Sequence, residues 1–283
     1  AGSAGAVRGR VLVYWGCGEQ ARPGQPTVID LAKPGAGAAS LAAGLGTLTQ
    51  TPPSPGAGRT YGEWPNARAS KVPADGSLLG DHVVRGNYTP EIRFALGAGQ
   101  DFLAPVQLSG TSPTAAGVTP LAWKPVTGAQ AYFASVVGAN EAGDTVIWSS
   151  SEIPLMAGQL PDHLSPADLK RLIARKALMA PQTTRCAVPA QVGQAAPASL
   201  LRVTAYGDEV DVSYPARPAD PKTAWKPDYV VKVRYASIAS AMLGLSDDAG
   251  EDDQDADAAQ DTGKPAAGKK TRALLKGLGS ILP

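Results

Sequence analysis

From Tyr229 to Ala236 the chain reads Tyr-Val-Val-Lys-Val-Arg-Tyr-Ala, which puts Val231, Val233 and Tyr235 on one side of an extended backbone and Lys232 and Arg234 on the other. A period of two is the mark of a strand with one buried face. It recurs from Glu91 to Leu96, where Ile92, Phe94 and Leu96 alternate with Glu91, Arg93 and Ala95. Further strands are expected from Arg10 to Tyr14, Thr27 to Leu31, Phe102 to Leu108, Thr145 to Ser150, Leu201 to Tyr206 and Val210 to Tyr214, with two more either side of the turn at Pro125 to Ala129. The 32 glycines and 25 prolines keep these runs short and leave little room for long helices. One stretch carries helix chemistry: Ser165 suits an N-cap, Pro166 the first helical position and Asp168 a capping box, and Leu169, Leu172, Ile173 and Lys176 follow at helical spacing. A helix over 165–179 is expected, stopped by Pro181.

These elements make the chain mainly β. Its 283 residues suffice for two cores, and the expectation is two β-sandwich-like modules, the second with one inserted helix. Residues 1–8 read as a flexible lead. Residues 9–112 form the first module, interrupted at 33–58 by an Ala/Gly/Pro excursion with few large side chains, and 115–243 form the second. Residues 244–268 read as an acidic disordered linker, because eight acids and no base lie between Asp247 and Asp261. Residues 269–283 form a basic amphipathic segment suited to docking on an anionic membrane surface or a partner, although Gly277 and Gly279 weaken it as a helix. Without these two charged tracts the chain is only mildly basic, so no nucleic-acid stripe is expected. No apolar run reaches the roughly 18 residues of a membrane-crossing helix.

The search for chemistry yields little. No Gly-x-Ser-x-Gly elbow, phosphate-binding Walker loop, dinucleotide glycine fingerprint, His-Glu-x-x-His or Cys-x-x-Cys is present. Only two histidines exist, His82 and His163. A hydrolytic site from Asp81 and His82, with Glu63 or Asp101, is the one enzymatic arrangement to weigh, yet neighbours on a strand point to opposite faces. Asp253, Asp255 and Asp257 imitate the opening of a calcium loop, but Ala258 stands where the turn needs glycine and Lys264 where it needs a bidentate glutamate. No metal or cofactor is expected. The candidate ligand contacts are the aromatics near turns, Tyr14, Trp15, Tyr61, Trp64, Tyr88 and Trp225, although such rings also fill sandwich cores. Cys17 lies between Gly16 and Gly18 near Glu19, as a reactive thiol could; the alternative, which the even count favours, is a disulfide with Cys186.

Leu121-Ala-Trp123, the turn after it and the aromatic run from Tyr132 resemble the opposed strands of a fibronectin type III-like sandwich, a likeness extending over 115–240. A second resemblance rests on Tyr14-Trp-Gly-Cys-Gly-Glu19, Gly24-Gln-Pro-Thr-Val-Ile-Asp30, Thr60-Tyr-Gly-Glu-Trp-Pro-Asn66, Leu79-Gly-Asp-His82, Gln100-Asp-Phe-Leu-Ala-Pro105, Trp148-Ser-Ser-Ser151 and Ala205-Tyr-Gly-Asp208. Together these are similar to a family of uncharacterised exported proteobacterial proteins. That resemblance implies a periplasmic or secreted protein and carries no activity with it. The expected role is non-enzymatic: binding or structure in the cell envelope through protein or glycan contacts.

Overall fold

The computed structural model describes residues 9–32, 61–66, 69, 71–73, 75–87, 89–220 and 222–244. The expected lead at 1–8, the excursion at 33–58, Tyr88, the acidic tract beyond Gly244 and the basic segment at 269–283 lie outside the described residues. The described chain is mainly β. Its elements in order are β1 (Arg10–Trp15), β2 (Thr27–Asp30), β3 (Gly80–Gly86), β4 (Thr89–Leu96), β5 (Leu108–Ser109), β6 (Thr119–Trp123), β7 (Ala131–Ala139), β8 (Thr145–Ser149), a 3-10 turn (Ala157–Gln159), helix α1 (Pro166–Ala174), β9 (Arg185–Val188), helix α2 (Ala190–Ala195), β10 (Ser199–Tyr214) and β11 (Tyr229–Leu243).

Three sheets result. The largest has the order β11-β10-β7-β8-β1-β2, the second β5-β6-β9, and β3 pairs only with β4. The first two face each other as a sandwich: Leu121, Trp123, Cys186 and Val188 of the smaller sheet share one apolar cluster with Tyr132, Ala134, Val136, Val146, Trp148, Leu201, Val203 and Ala205 of the larger. Two buried aromatics keep their polar ends bonded, as burial requires: Trp148 Nε1 donates to Gly16 O at 3.0 Å, and Tyr132 Oη accepts from Val126 N at 2.8 Å. The opposite face of the large sheet is also covered. Ala131, Phe133 and Tyr206 pack there against Leu155, Leu160 and Leu164 and against Leu169 and Leu172 of α1. Strand β7 is therefore enclosed on both faces, which is why every residue from Ala131 to Val136 is buried rather than every second one.

The expected break near residue 112 does not separate two sheets. Strand β1 runs parallel to β8, from Val11 opposite Thr145 to Trp15 opposite Ser149, and β2 adds to its far side. The physical reason is again double burial: Val13 packs with Ile29 on one face while Tyr14 joins the sandwich core on the other. The chain from Phe102 to Pro105 forms no strand, and only Leu108–Ser109 pairs, with β6. The partner of the Glu91–Leu96 run is instead Gly80–Gly86. Helix α1 starts where expected, with Ser165 Oγ accepting from Asp168 N at 3.1 Å, but it ends at Ala174, five residues short of 179. Lys176 there takes a left-handed φ of 58° and turns the chain out. Strands expected separately at 201–206 and 210–214 are one strand, β10, with a register irregularity between Tyr206 and Glu209.

Cys17 and Cys186 form a disulfide, with their Cα atoms 5.2 Å apart. Cys17 follows β1 of the large sheet and Cys186 lies on β9 of the small one, so the bond ties the two layers together across 169 residues of sequence. The alternative of a reactive Cys17 thiol is thereby overturned.

Candidate functional site

Burial sorts the five described aromatics of the six expected. Tyr14 belongs to the core, and Trp15 is half-buried against Val13 and Ile29. Trp225 is half-buried in the loop between β10 and β11, where its Nε1 donates to Pro215 O at 3.0 Å and the Arg217 guanidinium covers its ring at 5.4 Å. Arg217, Pro218, Asp220, Thr223 and Trp225 surround a hollow of 230 Å³ in that loop. With Arg217 over it, that face of Trp225 is closed to a stacking sugar.

Tyr61 and Trp64 are different. Both are exposed, on one short loop, and Trp64 at 57% exposure is the most open tryptophan of the described residues. Its ring lies 6.5 Å from that of Phe102, tilted by 47°. The Tyr61 hydroxyl donates to Glu63 at 2.8 Å, and that bond raises the phenol above its ordinary pKa.

Phe102 is held outward by a braced turn. Asp101 accepts from Ser77 Oγ at 2.6 Å, from Leu78 N at 2.6 Å and from Phe102 N at 2.8 Å, and these bonds, Ser77 first, hold its carboxyl below the usual range. Gln100 Oε1 accepts from Gly97 N at 2.7 Å, and Tyr235 Oη donates to Gln100 O at 2.9 Å, fastening the turn to β11. Beside it, the lone β3–β4 ribbon and the chain leading into it expose Val72, Leu79, Val83 and Val84. Seven of the thirteen exposed large apolar side chains of the described residues thus fall between Tyr61 and Phe102. Sequence reasoning placed Phe102 in a strand and so did not single it out, and it passed over Val72, Val83 and Val84 because no alternation marks them; the brace at Asp101 leaves no motif to find.

The hydrolytic arrangement is not assembled. His82 stacks on Phe94 with ring centroids 5.0 Å apart, and its Nε2 donates to Leu78 O at 2.6 Å. Among the described residues no hydrogen bond joins His82 to Asp81, Glu63 or Asp101. Asp101 is occupied in bracing its turn and Glu63 in accepting from Tyr61.

A separate cleft of 320 Å³ opens beside the disulfide, lined by Cys17, Ser150, Glu152, Lys176, Met179 and Arg185 among others. Glu152 is paired with Arg22 at its edge. Among the described residues no group of three or more His, Cys, Asp or Glu side chains could hold a metal ion, and no helix is long and apolar enough to cross a membrane. No family model, curated protein or solved structure matches this chain.

Proposed function

We propose that this chain is an exported envelope protein with a non-enzymatic binding role, and that a protein partner sits on the apolar ground centred on Trp64 and Phe102. The observation that carries this reading is the grouping of exposed apolar side chains within one stretch, in a fold whose Trp123 and Trp148 are fully used inside the core. A protein partner fits better than a glycan: a sugar needs an open flat ring, whereas the Trp64 and Phe102 rings are tilted against each other by 47°. The Cys17–Cys186 bond supports an oxidising compartment, periplasmic or extracellular, as the resemblance to exported proteobacterial proteins implies. A fibronectin III-like kinship for 115–240 is supported by the facing orders β11-β10-β7-β8 and β5-β6-β9 and by Trp123 between the layers.

The test is a photo-crosslinking residue placed at Trp64 or, as control, at Tyr214, followed by incubation with envelope extract. The expected result is a discrete protein adduct from position 64 alone, lost on Phe102→Asp. Equal adducts from both positions would refute the assigned surface. Retention on polysaccharide that Trp64→Ala and Phe102→Ala together abolish would replace the protein partner with a glycan.

A further inference from the structure

Strand β11 is fifteen residues long and ends the large sheet, bonded through its backbone only to β10. No other backbone hydrogen bond among the described residues reaches it. The segment from Gln100 to Val106 meets it through side chains instead, at Tyr235 Oη and at Ser237 Oγ, which accepts from Val106 N at 3.2 Å. A long free edge invites another strand, and proteins blunt such edges with charge, proline, bulges or shortness. The opposite edge is blunted by shortness, since β2 has four residues. On β11 the half near Tyr229 carries Lys232 and Arg234, and the register irregularity with β10 lies there as well. The half from Ala236 to Leu243 has none of these devices. It contains no charge and no proline, its register with β10 runs unbroken from Tyr206 opposite Ala236 to Ser199 opposite Leu243, and it exposes Ile238 at 44% and Met242 at 47%.

We infer that this half-strand is a self-association edge, on which β11 of a second copy pairs antiparallel about a two-fold axis at Ser240. The uncharged stretch limits the pairing to the half beyond Tyr235, and a centre at Ser240 is the one that sets the two exposed apolar side chains, Ile238 and Met242, against each other. A two-fold axis perpendicular to the sheet keeps each face on its own side, so it pairs positions of equal parity. Centred on Ser240, it sets Ile238 opposite the second copy's Met242, Met242 opposite its Ile238 and Ser240 opposite Ser240, with Ala239 against Ala241 on the inner face. Every facing pair from 237 to 243 is uncharged. A register centred near Val233 would confront Lys232 with Arg234 and crowd side chains already held in ion pairs with Glu209 and Asp211, which disfavours it. The product is one continuous twelve-stranded sheet, formed without use of the Trp64–Phe102 surface and independent of its assignment.

The experiment is sedimentation velocity on the full chain with its disulfide intact, from low to high micromolar concentration, joined to cysteine crosslinking. The wild-type chain is expected to show a reversible, concentration-dependent dimer. Ile238→Lys with Met242→Lys brings lysine opposite lysine twice and should weaken self-association by more than about tenfold. Both side chains are exposed, so at concentrations where the wild-type chain is monomeric the melting temperature and near-ultraviolet circular dichroism of the two proteins should agree. Ser240→Cys lies on the axis and should oxidise to a covalent dimer, whereas Val230→Cys, on the same face of the same strand but far from the axis, should not. A monomer at every concentration, a dimer that persists in the double lysine variant, equal crosslinking at 230 and 240, or crosslinking of the Ser240→Cys variant only to a different protein would each overturn the inference.

Discussion

His163 precedes helix α1 with its Nδ1 buried and without a hydrogen-bond partner among the described residues. Burial pushes its pKa below the ordinary histidine value, and the positive charge of Arg234 adds to this; Asp162 and Glu209 oppose it without reversing the direction. The neutral ring is therefore the form the fold prefers. Because the folded pKa is the lower one, the unfolded chain takes up the proton first, so stability is complete above about pH 6.5 and falls as the pH drops through the folded value. Urea titrations at pH 5 and pH 7.5 should show a loss of stability at the lower pH that is smaller in His163→Asn. An identical loss in both proteins would show that the carboxylates account for the whole effect.

At the scale of the element, α1 ends in a Schellman motif: Lys176 N donates to Ile173 O at 2.9 Å and Ala177 N to Leu172 O at 2.9 Å. That motif wants glycine at the left-handed position, and this chain has lysine there, with a φ of 58°. Lys176→Gly should raise stability by about 1 kcal/mol, read as a higher urea midpoint at unchanged slope. The same residue explains an error in reading the sequence. Lys176 continues the helical spacing of Leu169, Leu172 and Ile173, so nothing local distinguishes it from a helical position. What local pattern could carry, it did carry: the Ser165 cap, the alternation of β4 and the inward Val231, Val233 and Tyr235 of β11 all describe one face of one element. What it could not carry depends on distant chain. The parallel pairing of β1 with β8 has no signature at either strand, and Gly80–Gly86, mostly exposed, shows no apolar face to read. For the candidate site the limit is similar. Tyr14 and Trp15 are neighbours on one strand, and only the packing of the whole sandwich buries Tyr14 in its core and leaves Trp15 half-buried on the other face.

At the scale of the whole molecule, the Cys17–Cys186 bond does what no single sheet can, since it fixes the distance between layers. Closing so long a loop lowers the entropy of the unfolded chain by an amount equivalent to about 5 kcal/mol at room temperature. Stabilities of ordinary domains are themselves about 5–15 kcal/mol. Cys17→Ala with Cys186→Ala should therefore lower the urea midpoint severely, with a loss approaching that figure, and a shift of less than about 1 kcal/mol would mean that the layers hold together by packing alone.

The parallel placement of β1 beside β8 also sets an order in time. A chain that emerges from its amino end presents Val11 to Trp15 long before Thr145 to Ser149 exists to receive them, and Cys17 waits longer still for Cys186. Among the described residues, only β2 pairs with β1 in the interval, on one side. Strand β1 is thus made well before the partner that encloses it, so oxidation to the native pair reports that synthesis has passed Cys186 and that the two layers have met.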